Sequence, residues 1–300
     1  RGVLARRDLT RVFVFCSSMA PYIPAEIRRS RRCVADLVDV DSEKWLEYAR
    51  MKSMTTAWLW AREGRLLRKV EYDIACSFDA TVVATAAERE LLQSFAPEAE
   101  SRIFDVPNGV DSDYFSPDRP YEAPPEMNGT PLVFTGAMDY WPNADAAIYF
   151  ARTILPGVVK RIPDAKFFVV GANPTAEVMA LADGKQIIVT GRVRDIRPYV
   201  SNAKAVVAPL RVARGVQNKV LEGMAMARPV VASPEAAVGI ESDIGEGIVV
   251  AGEPAAFADA IFDVAGTPAG EAIGRRGRQR VMADHVWSRS LARLDEILDA

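Results

Sequence analysis

Short apolar runs rich in valine and isoleucine alternate with longer stretches of helical periodicity along this chain. They form two groups, with four runs before residue 116 and six after residue 129. Continuous apolar strands separated by helices are typical of parallel sheets that are covered on both faces. The pattern therefore predicts an α/β protein. The runs are RVFVFCSS, RRCVADLVDVD, DATVVATA and RIFDVPNGVD, then TPLVFTGA, AKFFVVGA, QIIVTGRV, AKAVVAPL, RPVVASP and EGIVVAG.

A proline-rich, polar segment without periodicity, residues 116–131, separates the two groups and predicts an interdomain linker. We therefore expect one domain over residues 1–120 and a second, doubly wound domain with six strands over residues 121–284. Four strands are too few for a full partner, so we expect the first domain to be truncated at its start. Residues 285–300 predict an amphipathic helix that packs back on the first domain, with one apolar face made by Leu291, Leu294, Ile297 and Leu298.

The composition narrows the classes of function. The 300 residues, 49% of them hydrophobic, are enough for two cores. A balance of 37 basic against 40 acidic residues argues against a nucleic-acid binder. A single histidine, His285, argues against catalytic triads and histidine metal sites. Three widely spaced cysteines, Cys16, Cys33 and Cys76, indicate a reducing compartment, so we expect a cytoplasmic protein.

The most informative segment is RGVQNKVLEGMAMARPVVAS, residues 214–233. It predicts a helix that starts near Val216 and then a buried strand. A helix start that follows a parallel strand favours a phosphate group, because its first N–H groups have no partner in the helix. Lys219 lies in the first turn, where a cation is unfavourable unless an anion binds beside it. The alternative is a surface ion pair between Lys219 and Glu222, but the sequence GMAMA after Glu222 indicates a close-packed helix.

This segment resembles the donor-site helix of glycosyltransferase family 4, the group 1 glycosyl transferases. Other segments resemble the same family: VPNGVDSDYFSP, PLVFTGAMDYWPN, FFVVGANP, VTGRVRDIRPYVSNA and HVWSRSLARL. The resemblance implies a GT-B fold of two Rossmann-like doubly wound domains and the transfer of a sugar with retention of configuration. GVQNKVLEGMAMARPVV and VDVDSEKW look most like the sugar transferases of exosortase/PEP-CTERM systems, which implies a role in exopolysaccharide biosynthesis.

The family pattern implies roles for this helix and for neighbouring loops. Glu222 matches the second of two family acids, which hydrogen-bonds the ribose hydroxyls of the nucleotide. Arg214 stands where the family has its first acid, which touches the transferred sugar, and the loop GAMDYWPNAD lacks the family's phosphate-binding bases. We hypothesise that Lys219 and Arg214 supply this positive charge. Contacts to the nucleotide are expected, beside the alternative of plain glycine turns at strand ends, at Gly136, Arg192, Val193, Gly215, Asn218 and Leu221.

Asp39 and Asp41 are the candidates in the first domain. They end the run VADLVDVD, where the family often carries a His or Asp that faces the reacting sugar. Asp39 is therefore expected to orient the sugar or the acceptor, with Asp41 as the second choice. DVD also fits the metal-binding Asp-x-Asp of GT-A enzymes, but the resemblance implies a metal-independent enzyme without a metal site. The alternative is that Asp41 or Ser42 caps the following helix.

The expected activity is therefore hexosyl transfer from a UDP- or GDP-linked sugar, with no separate cofactor, to a glycan or lipid-linked acceptor. A nucleotide-binding GT-B protein without turnover is the alternative from another class, because the first acid and the loop bases are missing. A sugar-nucleotide epimerase of the same fold is the third hypothesis.

Two basic segments suggest a peripheral contact with the inner membrane. RRSRR at residues 28–32, and residues 44–69 with Trp45, Trp58 and Trp60, have the composition of a surface that contacts lipid phosphates. The alternative is a solvated basic loop and ordinary core tryptophans. No apolar run reaches the roughly 20 residues that a membrane span needs.

Overall fold

A computed structural model gives the fold and describes residues 9–51, 54–213, 215–240 and 244–300. The chain divides into two compact units, one formed by Arg1–Pro107 with Ser288–Ala300 and the other by Asn108–Trp287. The strands are β1 Arg11–Phe15, β2 Arg32–Val38, β3 Ala80–Val83, β4 Ile103–Asp105, β5 Thr130–Thr135, β6 Ala165–Val170, β7 Ile187–Gly191, β8 Ala205–Ala208, β9 Val230–Ala232 and β10 Val249–Val250.

The helices lie between these strands, as the apolar pattern predicts. They are α1 Ala25–Ser30, α2 Asp41–Met51, α3 Met54–Ser77, α4 Ala86–Phe95, α5 Trp141–Tyr149, α6 Leu155–Arg161, α7 Ala176–Met179, α8 Arg197–Asn202, α9 Asn218–Ala225, α10 Pro254–Val264, α11 Pro268–Asp284 and α12 Trp287–Asp299. None of the helices in the described ranges is both long and apolar enough to cross a membrane.

The first unit contains a parallel sheet in the order β1-β2-β3-β4. Successive residues of a strand point to opposite faces, and in β2 both faces are buried. Cys33, Ala35 and Leu37 belong to a cluster with residues of α3 and α4. Val34 instead packs with Ala80, Val82 and, from α12, Ile297. Around β2 the sheet is therefore covered on both faces, which explains why most residues of this strand are apolar.

Helix α12 contributes three of its four predicted apolar side chains to the first unit. Leu294, Ile297 and Leu298 pack in the cluster with β2 and β3. The guanidinium of Arg32 also donates to the carbonyl oxygen of Ile297, at 2.8 Å. Leu291, one turn earlier, is instead 50% exposed. The contact is therefore made by the C-terminal half of the helix.

The second unit contains a parallel sheet of six strands in the order β10-β9-β8-β5-β6-β7. When β5 is counted as the first strand, this is the order 3-2-1-4-5-6 of dinucleotide-binding domains. The direction of the chain across the sheet reverses between β5 and β8. In such sheets a crevice opens at this reversal, outside the carboxyl ends of the strands.

The proline-rich segment at residues 116–131 lies inside the second unit, since the division between units falls at Pro107. Tyr121 and Met127 pack against the core of this unit, and the side-chain amide of Asn202 donates to the carbonyl oxygen of Tyr121, at 3.2 Å. Prolines lack a backbone donor and interrupt regular structure. An irregular segment that packs on a core therefore looks like a linker in the sequence.

Candidate functional site

A cavity of about 460 Å³ lies in the second unit, at the point where the strand order reverses. Open parallel sheets bind their ligands at this place. The lining comes from the carboxyl ends of β5, β6 and β7, from Asn108, and from the start of α9. The residues from these elements are Thr135, Gly136, Ala137, Val170, Gly171, Ala172, Arg192, Val193, Ile196, Val216, Gln217, Asn218, Lys219 and Glu222.

Bare backbone forms the part of the lining where β5 meets β6. The N–H of Gly136 donates to the carbonyl oxygen of Val170, at 3.1 Å. A Cβ atom at Gly171 would lie 1.7 Å from the carbonyl oxygen of Gly136, so only glycine permits this approach. The side-chain amide of Asn143 donates to the carbonyl oxygen of Ala137 and holds the loop after β5, at 3.0 Å. The backbone can therefore come close to a ligand here.

The loop between β8 and α9 is held by contacts on both sides. The guanidinium of Arg211 donates to the carboxylate of Asp145 in α5, at 2.9 Å from Nε. The hydroxyl of Ser233 donates to the carbonyl oxygen of Leu210, at 2.6 Å. Gly215 adopts a φ of +62°, which L side chains rarely adopt. Arg214, predicted to carry positive charge in the site, lies outside the described residues.

Helix α9 is packed into the core of the second unit along most of its length. Val220, Leu221 and Met224 are fully buried. The guanidinium of Arg278 in α11 donates to the carbonyl oxygen of Ala225 at the end of α9, at 2.5 Å. Leu221 is therefore a core residue and is not among the residues that line the cavity, so its contact with a nucleotide stays a prediction. This packing fixes the direction in which the first turn of α9 faces.

Lys219 and Glu222 line the cavity from one side of α9 and are both half-buried. Within the described residues, no ion pair of 4.0 Å or less joins them, and the carboxylate of Glu222 accepts no hydrogen bond. The ammonium of Lys219 lies 3.4 Å from the side-chain oxygen of Gln217 and 5.5 Å from the centre of the Phe134 ring. The surface ion pair considered from the sequence is therefore not formed.

Burial disfavours the charge on both side chains. It lowers the pKa of Lys219 to about 8, although the carboxylate of Glu222 acts in the opposite direction. It also raises the pKa of Glu222, against the influence of Lys219. The two groups are thus partly desolvated and not neutralised by each other. A ligand that offers an anion to Lys219 and hydroxyl donors to Glu222 would stabilise both charged forms.

The second unit, which contains this cavity, matches a known protein family over most of its length. Residues 129–266 match the family model described as glycosyl transferases group 1. No curated protein matches the chain significantly by sequence. Sucrose-phosphate synthase from Thermosynechococcus elongatus is similar in structure, with a TM-score of 0.74 at 16% identity, over 99% of this chain and 74% of that chain. A glycosyltransferase from Rickettsia africae has a TM-score of 0.64 at 13% identity, over 97% of this chain and 98% of that chain.

A third similar structure is Anabaena HepE in complex with UDP-glucose. Its TM-score is 0.66 at 13% identity, over 96% of this chain and 78% of that chain. These structures share two Rossmann-like domains with parallel sheets, as found in both units of this chain. The fold is GT-B. At these sequence identities the similarity establishes the fold, and it confirms the fold class that the sequence predicts.

In this GT-B protein, six of the predicted site residues line one cavity. They come from three segments that are distant in sequence, and they are Gly136, Arg192, Val193, Asn218, Lys219 and Glu222. Arg192 is exposed, so the cavity carries two cationic side chains and one carboxylate among its described lining residues. Gly215 lies in the loop before α9 and does not line the cavity. The gathering of these residues is a fact of the structure, whereas their contacts with a nucleotide stay predictions.

The sequence did not single out several residues that line the GT-B cavity. Thr135, Val170 and Gly171 are the last residues of β5 and β6 or follow them directly. The available signal was their position, because side chains at the carboxyl ends of parallel strands meet at one edge of the sheet. Ile196 and Val216 carry no chemical signal, since they add only apolar surface to the cavity.

Asp39 and Asp41 lie in the first unit, after β2, and both are half-buried. Val38, the last residue of β2, has a φ of +67°, a strained value for a β-branched residue. The carboxylate of Asp36 accepts from the N–H of Val38, at 2.8 Å, and so holds this turn. Within the described residues, no group of three acidic, cysteine or histidine side chains is arranged to hold a metal ion. The Asp-x-Asp pattern therefore gains no support from the geometry.

Two buried carboxylates accept hydrogen bonds from backbone N–H groups at the start of α2. The sequence did not reveal this role. Glu88 accepts from the N–H of Val40, at 2.7 Å. Glu71 accepts from the N–H of Ser42, at 2.9 Å, and from its hydroxyl. The caps of α2 are thus supplied by α3 and α4, rather than by Asp41 or Ser42. Burial raises the pKa of Glu71 to about 7, against the effect of the hydrogen bonds from Ser42.

Proposed function

We propose that this protein is a retaining glycosyltransferase that moves a sugar from a nucleoside-diphosphate sugar to a glycan or lipid-linked acceptor. The observation that carries the proposal is the arrangement of Lys219 and Glu222, which line the cavity from one helix start without pairing with each other. A nucleoside diphosphate offers both an anion and a pair of ribose hydroxyls. It therefore matches the two groups together.

The start of α9 suits the diphosphate. Asn218 and Lys219 are its first two residues, and the N–H groups of a first helical turn have no carbonyl partner within the helix. With the helix dipole and the ammonium of Lys219 they would stabilise the negative charge that grows on the leaving phosphate. The bare backbone at Gly136 and Gly171 would let the phosphates approach. The carboxylate of Glu222 would accept hydrogen bonds from the ribose hydroxyls.

The finer parts of the proposal rest on the family match and on the ligands bound in similar structures. We favour a UDP-linked hexose, because HepE was crystallised with UDP and with UDP-glucose. The reaction would need no metal ion, and Asp39 in the first unit would orient the sugar or the acceptor. We place the protein in the cytoplasm and in exopolysaccharide biosynthesis. The thiols of Cys16, Cys33 and Cys76 are unpaired, as a reducing compartment requires.

Thermal-shift assays with UDP, GDP and ADP, and with their sugars, test the donor site. UDP is expected to raise the melting temperature of the wild type. Glu222→Ala should lose most of this shift, because one charged hydrogen-bonding group is worth about 1.5–3 kcal/mol, or roughly tenfold to a hundredfold in affinity. The matched control is Glu253→Ala, which removes an exposed acid of the same unit. Equal shifts for Glu222→Ala and the control would contradict the assignment.

Product analysis then separates transfer from the two alternatives. Incubation with the nucleotide-sugar that gives the largest shift, and with sugar acceptors, is expected to yield nucleoside diphosphate and a glycosylated product with the anomeric configuration of the donor. Bound nucleotide-sugar that stays intact would indicate a binding protein without turnover. An isomerised sugar nucleotide would indicate an epimerase. Either of these two results would reject the transfer reaction.

A further inference from the structure

A smaller cavity of the second unit lies at the opposite edge of the sheet from the one that Lys219 and Glu222 line. Its volume is about 170 Å³. Lys204 and Arg228 line it where the chain enters β8 and β9, at the amino ends of these strands. Open parallel sheets bind their usual ligands outside the carboxyl ends instead. The smaller cavity is therefore separate from the candidate donor site.

Arg228 carries a partly buried positive charge that the protein does not neutralise by contact. Its side chain is half-buried, and its Nε atom is buried without a hydrogen-bond partner. Within the described residues, its guanidinium forms no ion pair of 4.0 Å or less. Burial lowers the pKa of Arg228, although the carboxylate of Glu271 acts in the opposite direction. A partly desolvated cation without a counter-ion in contact is unfavourable, and a bound anion would remove this cost.

The alternative role for Arg228 is to cap α9, because a cation is favourable at the end of a helix. The last carbonyl groups of this helix already have other donors. That of Ala225 accepts from the guanidinium of Arg278, and that of Gly223 accepts from the backbone N–H of Arg228, at 3.0 Å. The side chain of Arg228 donates to neither of them. Capping therefore does not account for this side chain.

Two further cations line the same cavity. Lys204 is exposed and, in the part of the chain that the structure describes, forms no ion pair. Arg275 lies 3.9 Å from the carboxylate of Glu271, and both side chains are exposed, so this pair contributes little to stability. Three cations therefore stand against one carboxylate among the described lining residues. The cavity carries an excess of two positive charges.

We propose that this cavity is a binding site for a phosphate group, either inorganic phosphate or the phosphate of a small monoester. The excess charge matches a phosphate group, which carries about −1.5 to −2 charges at pH 7. The planar guanidinium of Arg228 can donate two parallel hydrogen bonds to phosphate oxygens. The volume suits a single phosphate group better than a whole nucleotide, since pockets for larger ligands measure roughly 300–1,000 Å³. The inference does not rest on the transfer reaction, because phosphate binding is measured without donor or acceptor.

Calorimetry with inorganic phosphate tests the proposal. The wild type is expected to bind phosphate in a chloride buffer of constant ionic strength. Arg228→Gln should weaken this binding by about tenfold to a hundredfold, because it removes charge-assisted hydrogen bonds. Lys204→Glu changes an exposed side chain, so it should leave the fold intact and also weaken the binding. The matched control Lys185→Gln removes an exposed base elsewhere in the second unit and should bind like the wild type.

Thermal unfolding separates loss of the site from loss of the fold. Without phosphate, Arg228→Gln should unfold at the temperature of the wild type or higher, because it removes a charge that the protein does not compensate. Phosphate should raise the melting temperature of the wild type but not that of Arg228→Gln or Lys204→Glu. Glucose 6-phosphate, with glucose as its control, distinguishes the two sources of the phosphate group. Tighter binding than inorganic phosphate identifies a monoester as the ligand, and weaker binding identifies free phosphate.

Three results would overturn the proposal. The first is equal phosphate affinity in Arg228→Gln and in the control Lys185→Gln. The second is phosphate binding that Lys219→Gln abolishes and Arg228→Gln retains, because the phosphate would then occupy the cavity at the start of α9. The third is an equal rise in melting temperature with sodium chloride and with phosphate at the same ionic strength, because screening of charges would then explain the effect.

Discussion

Helices α2 and α9 both follow a strand of a parallel sheet, but the first turns of the two helices meet different partners. In α2, the carboxylates of Glu71 and Glu88 accept from backbone N–H groups at the helix start. In α9, the N–H groups of Asn218 and Lys219 donate to no carboxylate of the described chain. This helix start lines a cavity instead. Carboxylates of the protein accept from the N–H groups at the start of α2, whereas the N–H groups at the start of α9 can bind a ligand.

The starts of α2 and α9 are therefore the same local motif, a helix start after a parallel strand, but they have different roles. Unpaired N–H groups favour a negative charge at any helix start. Where buried side chains of the same unit supply that charge, the helix start contributes to stability. Where a lysine lies in the first turn and no carboxylate of the described residues pairs with it, the start is suited to an external anion. Substitutions at the two ends should therefore affect different quantities.

The largest effect on stability is expected for Glu71→Ala. The change leaves the buried N–H and hydroxyl of Ser42 without an acceptor and opens a void. It should lower the free energy of unfolding by about 2–4 kcal/mol. Glu222→Ala should change it by less than about 1 kcal/mol, because that carboxylate accepts no hydrogen bond in the described structure. Urea unfolding of both variants measures these two changes in the free energy of unfolding. Equal losses of stability in the two variants would contradict the difference between the two helix starts.

The pH dependence of stability sharpens the same contrast. Burial raises the pKa of Glu71 from 4.5 to about 7. The folded state therefore binds this proton more tightly than the unfolded state, and the contribution of Glu71 to stability falls as the pH rises from about 4.5 to 7. Between pH 5 and pH 8, the free energy of unfolding of the wild type should fall by about 2 kcal/mol relative to Glu71→Gln. A constant difference between the two proteins would contradict this role.

At the start of α9, the pH should change the affinity for the ligand. Burial lowers the pKa of Lys219 to about 8, so its positive charge is lost from the free protein as the pH rises through 8. Nucleotide affinity measured by calorimetry should therefore fall by roughly tenfold between pH 7 and pH 9. Lys219→Gln should bind more weakly at pH 7 and show a flat profile over this range. A wild-type profile that is equally flat would argue against Lys219 as the anion-binding group.

The smallest effect concerns the other end of α9. Ala227 has a φ of +52°, which glycine adopts without strain. Ala227→Gly should therefore raise the free energy of unfolding by about 0.5–1 kcal/mol. The matched control Ala225→Gly lies within the helix and should lower it by about 1 kcal/mol. Thermal unfolding distinguishes the two directions, and a loss of stability in Ala227→Gly would reject the interpretation.

Much of the fold could be predicted because strands and helices each give a local periodicity of apolar residues along the chain. The ten apolar runs correspond to β1–β10, including the short strand β10. The irregular segment at residues 116–131 was harder to interpret, since the packing of Tyr121 and Met127 leaves no periodic trace. Leu291 was placed on the buried face of α12 by its spacing. It is exposed because the contact with the sheet begins one turn later.

The candidate site was predictable to the extent that its chemistry is concentrated in one helix. Lys219 and Glu222 stood out as charges in a close-packed segment, and both line the cavity. Leu221 lies beside Glu222 in the sequence, but the structure places its side chain in the core. The tryptophans of α2 and α3 looked equivalent in composition, although Trp60 packs against α2 and Trp58 is exposed.

The sequence by itself determined the α/β class, the order of the strands along the chain and the helix that carries Lys219 and Glu222, because each of these follows from residues close together in the chain. Only the tertiary structure decided which partner each charged side chain meets. Glu71 reaches Ser42 across 29 positions and Arg211 reaches Asp145 across 66, whereas Lys219 and Glu222, three positions apart, do not pair. The burial of a charged side chain and its hydrogen-bond partners depend on the packing of distant segments. This packing therefore decides whether the side chain bonds within the protein or can bind a ligand.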